Sequence, residues 1–130
     1  MATTYLDTSA VVKLVIHERE SVALQRWLED AVSPVSSALL RAELVRAVHQ
    51  HGSPAVMRAR TLLAQVDLIA VDDAILDLAS KLPPTRLRTL DAIHLATAIS
   101  LGDELSSLAT YDVRMMEAAE LAGLSIASPA

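Results

Sequence analysis

Four carboxylates stand where the surrounding sequence is apolar: Asp7, Glu43, Asp91 and Asp112. Asp7 follows Tyr5 and Leu6 and precedes Val11, Val12 and Leu14, so it marks a corner between a strand and a helix. Asp112 takes the same place after Leu108-Ala109-Thr110. Glu43 lies in SALLRAELVRAVHQ, with Leu40, Leu44 and Ala47 as neighbours at helical spacing. Asp91 opens the apolar run of RTLDAIHLATAIS, with Leu95 one turn on. Each has an ordinary structural use by itself. Asp7 and Asp112 are suited to helix caps, Asp91 to the positive end of a helix dipole, and Glu43 to a surface pair with Arg41 or Arg46. Taken together, four unpaired acids at strand ends and on inner helix faces would repel one another and resist desolvation. A hard divalent cation resolves that conflict, since Mg²⁺ and Mn²⁺ prefer oxygen ligands. Such a site activates water and stabilises a phosphoryl transition state.

The elements that must position these acids are legible from apolar periodicity and breakers. Strands are expected at Thr3–Leu6, Val32–Val35, Leu68–Val71, Leu105–Thr110 and Leu124–Ala127. Pro34 confines the second of these to a strand end or a sheet edge. Helices are expected at Thr8–Ile16, at Arg19–Ala31 with Leu24, Trp27, Leu28 and Ala31 on one face, and at Ala38–His51 behind a Ser36 or Ser37 cap. Further helices are expected from Ser53-Pro54 to about Gln65, from Asp72 to Lys81, from a Thr89 cap to Leu101, and from Asp112 to Ala122. Gly52, Gly102 and Gly123 close three of them, and Pro83-Pro84 another. Short apolar strands alternating with helices define an α/β chain with a parallel sheet covered on both faces. Sites in such sheets form beyond the carboxyl ends of the strands, which is where Asp7 and Asp112 fall.

Composition narrows the class. With 130 residues the chain is read as a single domain, residues 1–130. Aromatic residues are only 2% against 52% hydrophobic, so the core is built from Ala, Leu, Val and Ile. The lack of cysteine excludes disulfides, thiolate metal sites and a cysteine nucleophile. No basic leader and no long apolar run appear, so no membrane role is expected and the location is read as cytoplasmic. A net charge of −5 is wrong for a purely electrostatic nucleic-acid binder. Any nucleic-acid role must rest on a local basic patch or on a cation that reverses the sign of an acidic site.

YLDTSAVVKL, AELVRA, LDAIHLATA and LATYDVRM, in that order, resemble the PIN-domain ribonucleases, and among them the VapC toxins of VapBC toxin–antitoxin pairs. The resemblance spans nearly the whole chain and includes the order and spacing of all four acids. It implies a PIN-like three-layer fold with about five parallel strands, a homodimer, and Mg²⁺- or Mn²⁺-dependent endoribonuclease activity on RNA such as tRNA or rRNA. It also implies inhibition of translation and a VapB-type antitoxin that covers the site. The family's metal-site acids fall on Asp7, Glu43, Asp91 and Asp112. Its hydroxyl residues fall on Thr8 or Ser9 and on Thr110, read here as substrate contacts. Val113 replaces the basic residue many relatives carry after the last acid, leaving Arg114 for that contact.

In the chemistry so read, Asp7, Asp91 and Asp112 hold the ion, and Glu43 completes the site and orients water. His94 is read as a packing or hydrogen-bonded histidine, not a ligand. Arg86 and Arg88, leading into the helix of Asp91, are the preferred RNA contacts over Arg41 and Arg46; Lys81 precedes them. With so few aromatics, RNA is recognised through shape and phosphates. Rivals fit less well. A haloacid-dehalogenase phosphatase wants an acid at Ser9, a response regulator wants a late lysine, and an adhesion-type metal module is broken by Val11. A non-catalytic PIN-like module binding RNA or protein is the remaining alternative, against which all four acids speak.

Overall fold

The computed structural model describes residues 2–30 and 32–130. Ala31, expected on the apolar face of the second helix, lies outside them. In chain order the elements are β1 (Ala2–Leu6), α1 (Thr8–Val15), α2 (Ser21–Glu29), β2 (Val32–Ser37), α3 (Leu40–Val48) and α4 (Ser53–Leu63). They continue with β3 (Asp67–Ile69), α5 (Asp73–Ala79), α6 (Thr89–Ser100), β4 (Leu105–Ala109), α7 (Val113–Leu121) and β5 (Ile126–Ala127). Single 3₁₀ turns at His49–His51 and Gly102–Glu104 follow α3 and α6.

The strands form one sheet in the order β3-β2-β1-β4-β5, and every pair is parallel. Alternation along β1 sends neighbours to opposite faces. Leu6 joins a core with Ala10, Val11, Leu40, Leu44, Val48 and Ala59, under α1, α3 and α4. Tyr5 joins the other, with Leu95, Leu108, Met115 and Ala118, under α6 and α7. Within α3, Leu40, Leu44 and Val48 recur every fourth residue and are fully buried, which gives that helix one apolar stripe. Trp27 packs against the first core from α2. No helix among the described residues is long and apolar enough to cross a membrane.

Most boundaries shift by a residue or two, and three differences have physical causes. Ser36 and Ser37 belong to β2 and do not precede α3 as an ordinary cap; Ser36 Oγ donates to Leu6 O at 2.6 Å, and only Ser37 Oγ serves the turn, accepting from Leu39 N. The second helix starts at Ser21 and not at Arg19, because Ser21 Oγ accepts from Glu18 N–H and donates to Ile16 O, holding a turn there. Pro34 sits in a strand flanked on both sides, yet β3 pairs only with residues 35–37, so Pro34 has β1 as its single neighbour. It needs no ladder N–H on the open side.

Chain order reverses at β1. The chain runs outward to β2 and β3 on one side, then returns to lay β4 and β5 on the other. The crevice beyond the carboxyl ends of β1 and β4 is therefore the switch point of the sheet. Asp7 leaves β1 there, and Thr110 to Asp112 leave β4 there, joined by a hydrogen bond from Asp7 N to Ala109 O at 3.3 Å.

Candidate active site

Asp7 is almost wholly buried, at 4% exposure. Its Oδ1 accepts from Ser9 Oγ at 2.6 Å and from Ala10 N at 3.1 Å. Its Oδ2 accepts from Thr110 Oγ1 at 2.5 Å. The Ala10 bond makes Asp7 the N-cap of α1, so it is a cap as well as an acid of the crevice. Burial pushes its carboxyl above the usual aspartate value, and the bonds from Ser9, Thr110 and Ala10 offset only part of that.

The same hydroxyls brace the second loop. Thr110 Oγ1 accepts from Asp112 N at 3.1 Å, and Ser9 Oγ accepts from Tyr111 N at 3.0 Å. Asp112 in turn caps α7 through Arg114 N at 2.9 Å. Thr8, Ser9 and Thr110, read from the sequence as substrate contacts, thus give their hydroxyl hydrogens to the acids: Thr8 Oγ1 donates to Glu43 Oε1 at 2.9 Å.

Glu43 reaches the crevice from the first turn of α3. The surface pairing with Arg41 or Arg46 that would have made it an ordinary residue does not form; its partner is His94, whose Nε2 lies 2.5 Å from Glu43 Oε1. Arg41 and Arg46 are exposed, whereas Glu43 is partly buried. Burial pushes the Glu43 carboxyl up, but the hydrogen bond and charge of His94, with the Thr8 bond, outweigh it and hold the group below the usual glutamate value. His94 is buried on α6, and its other nitrogen, Nδ1, lies 2.6 Å from the Tyr5 hydroxyl. Sequence reasoning set His94 aside as a ligand and gave Tyr5 no role. The available signal was a lone imidazole in the apolar run AIHLATA.

Asp91 stands in the first turn of α6, half-buried. Burial raises its carboxyl above the usual value, and the charges of Asp112 and Asp7 raise it further, against smaller pulls from His94 and Arg88. Asp91 therefore feels the acids that follow β1 and β4. Among the described residues no three His, Asp or Glu side chains stand at the spacing of a ready-made metal shell. The donor set still suits Mg²⁺, which keeps several waters and takes only one or two carboxylates directly.

Of the basic residues, Arg88 acts on Asp91 from the start of α6, and Arg114 gives its backbone N–H to Asp112. Arg86 and Arg114 line one hollow of about 380 Å³ with Pro84, Leu87 and Glu117. Arg86 is held loosely by Glu117 at 3.6 Å and is 81% exposed. A second hollow, of about 620 Å³, runs from Leu76 to Ile93 between α5 and α6 and is lined by none of the four acids.

Comparison with known proteins follows the same lines. The PIN domain model matches residues 4–121. Ribonuclease VapC46 of Mycobacterium tuberculosis (strain ATCC 25618 / H37Rv) is 52% identical over 129 residues, 99% of each chain. Ribonuclease VapC35 of the same strain is 45% identical over 132 residues, 96% of each. Among solved structures, the crystal structure of Mycobacterium tuberculosis VapC20, a Sarcin-Ricin loop cleaving toxin, has a TM-score of 0.78 at 16% identity, covering 97% of this chain and 99% of that one. A toxin-antitoxin complex from Klebsiella pneumoniae has a TM-score of 0.72 at 21% identity, covering 98% of both chains. At those identities the two structures speak for the fold alone. The chain belongs to the PIN-domain family and, within it, to the VapC ribonucleases.

Proposed function

We propose that this ribonuclease is the toxin of a VapBC-type pair, hydrolysing internal phosphodiester bonds of tRNA or rRNA with Mg²⁺ or Mn²⁺ and so inhibiting translation. What supports the reading is that Asp7 and Asp112 leave neighbouring strands at the switch point of the sheet, while the Asp91 carboxyl is raised by burial and then by the charges of both. In this reading Asp7, Asp91 and Asp112 would hold the cation, and Glu43 completes the site. The chemistry a cation held there would supply is a hydroxide-like nucleophile at neutral pH and compensation of charge on the scissile phosphate.

The chain's own groups do the rest. Glu43, kept ionised by its donors, orients the attacking water. Ser9, Thr110 and Ala10 N–H fix both oxygens of Asp7, so this acid is set before substrate arrives. Arg86, Arg88 and Arg114 hold RNA phosphates beside the acids, which lets an acidic protein approach a polyanion. A VapB-type antitoxin partner belongs to this reading through the kinship of the chain to the VapC ribonucleases. A homodimer and a cytoplasmic location belong to the same reading. Mapping of RNA ends after induction tests it: discrete new ends are expected with the native chain and none with Asp7→Asn. Identical end patterns from both would overturn the assignment.

A further inference from the structure

Glu43 is not free to turn. Its Oε1 accepts from Thr8 Oγ1 at 2.9 Å and lies 2.5 Å from His94 Nε2. The imidazole is fixed at its far side by the Tyr5 hydroxyl, 2.6 Å from Nδ1, and by an edge-on contact between the two rings, with centroids 5.8 Å apart. Tyr5 and His94 are both buried, at 0% and 2% exposure. A bare nitrogen lone pair facing a carboxylate at that distance would be repelled, so Nε2 carries a hydrogen and donates it to Oε1. Thr8 gives its own hydrogen to the same oxygen. With Oε1 held twice, Oε2 is the oxygen left for water or ion.

We infer that Tyr5 and His94 are positioning residues for the ribonuclease reaction, forming a relay from the central strand through the imidazole to Glu43 that fixes which carboxylate oxygen meets the chemistry. The inference rests on the reading of Glu43 as a site acid. Neither residue touches the reacting atoms; both act through Glu43. A histidine kept only for packing would need no matched partner on each nitrogen, whereas here both are engaged and buried, the state in which a polar network rigidifies its members.

Three substitutions separate the relay from packing. His94→Leu keeps bulk alone, His94→Gln keeps an N–H donor near the place of Nε2, and Tyr5→Phe keeps the ring without its hydroxyl. Expected are a fall in kcat of about 10- to 100-fold in His94→Leu, a smaller fall in His94→Gln, a several-fold fall in Tyr5→Phe, and an unchanged KM for RNA. A second readout uses metal-free protein. ¹⁵N spectra of the histidine rings should show hydrogen on Nε2 of His94, and Tyr5→Phe should move the Nδ1 resonance. The relay is overturned by equal activity of His94→Gln and His94→Leu, by native kcat in Tyr5→Phe, or by a ring carrying hydrogen on Nδ1 alone. If His94→Leu does not fold, Tyr5→Phe and the spectra decide alone. Failure of the underlying reading looks different: Glu43→Gln would keep full activity while the ring spectra stay as expected, which removes the role of Glu43 and the relay's purpose together.

Discussion

Asp7 and Asp91 are both acids of one crevice, and the fold treats them in opposite ways. Asp7 is buried at a strand end, and three donors fill its two oxygens. Asp91 is half-exposed in a first helical turn, and what acts on it is chiefly burial and the charges of Asp112 and Asp7. The first acid is built into the scaffold as a cap and a crosslink between the β1 and β4 loops. The second is the wall left electrostatically unbalanced. A cation site needs both kinds: fixed geometry to place the ion, and unsatisfied charge to attract it.

The largest expected effect breaks the pair together. Asp7→Asn or Asp91→Asn should each lower RNA cleavage by about a hundredfold or more, as loss of a charge aimed at the reacting centre does. A variant that retains half its activity would remove that acid from the site.

Stability should then divide the two acids. Thr110 is fully buried and bridges Asp7 Oδ2 and Asp112 N–H. Thr110→Val keeps its shape and should cost about 2 to 4 kcal/mol in denaturant unfolding, since a buried charged acceptor loses its donor. A cost under about 0.5 kcal/mol, the range of ordinary surface changes, would mean the crosslink is idle.

Asp91 should show the reverse sign. Its folded carboxyl titrates above the unfolded value. Its contribution to stability is therefore fullest below the unfolded pKa and is lost as pH climbs through the raised folded pKa. In EDTA near neutral pH, Asp91→Asn should melt higher than the native chain and flatten the stability–pH profile across that window. Asp7→Asn should gain less, because relief of the buried charge is set against weaker bonds to Ser9 and Thr110. Thermal melts across pH check the order; a larger gain for Asp7→Asn would make Asp7 the more strained acid of the two.

The smallest effect concerns approach of the substrate. Arg86→Ala with Arg88→Ala should flatten the slope of log K for RNA against log salt by about 1.4 to 1.8, the value for two lost phosphate contacts. An unchanged slope would return both arginines to plain surface.

These contrasts were unevenly legible in the sequence. The strand–acid–helix corners at Asp7 and Asp112 read directly, because a carboxylate after an apolar run is a local signal. So did the glycine stops at Gly52, which closes the 3₁₀ turn after α3, and at Gly102 after α6, whose φ of 91° and 56° favour glycine. Ser36 and Ser37 misled, since a serine pair before an apolar helix looks like a cap until the sheet claims it. The partner of Glu43 was hidden for a different reason. Arg41 and Arg46 are near in sequence, while His94 is 51 residues away and comes alongside only when α6 packs on the sheet against β2 and β4. The bond from Tyr5 to His94 spans 89 residues. Such pairs depend on strand order, which no local pattern encodes.

The most direct test is cleavage of RNA by the purified native chain and by Asp91→Asn, first in excess EDTA and then with Mg²⁺ or Mn²⁺ added back. The account predicts no cleavage by either in EDTA, full recovery by the native chain on adding the ion, and little or none by the variant. Undiminished cleavage in EDTA, or equal recovery by both proteins, would contradict it.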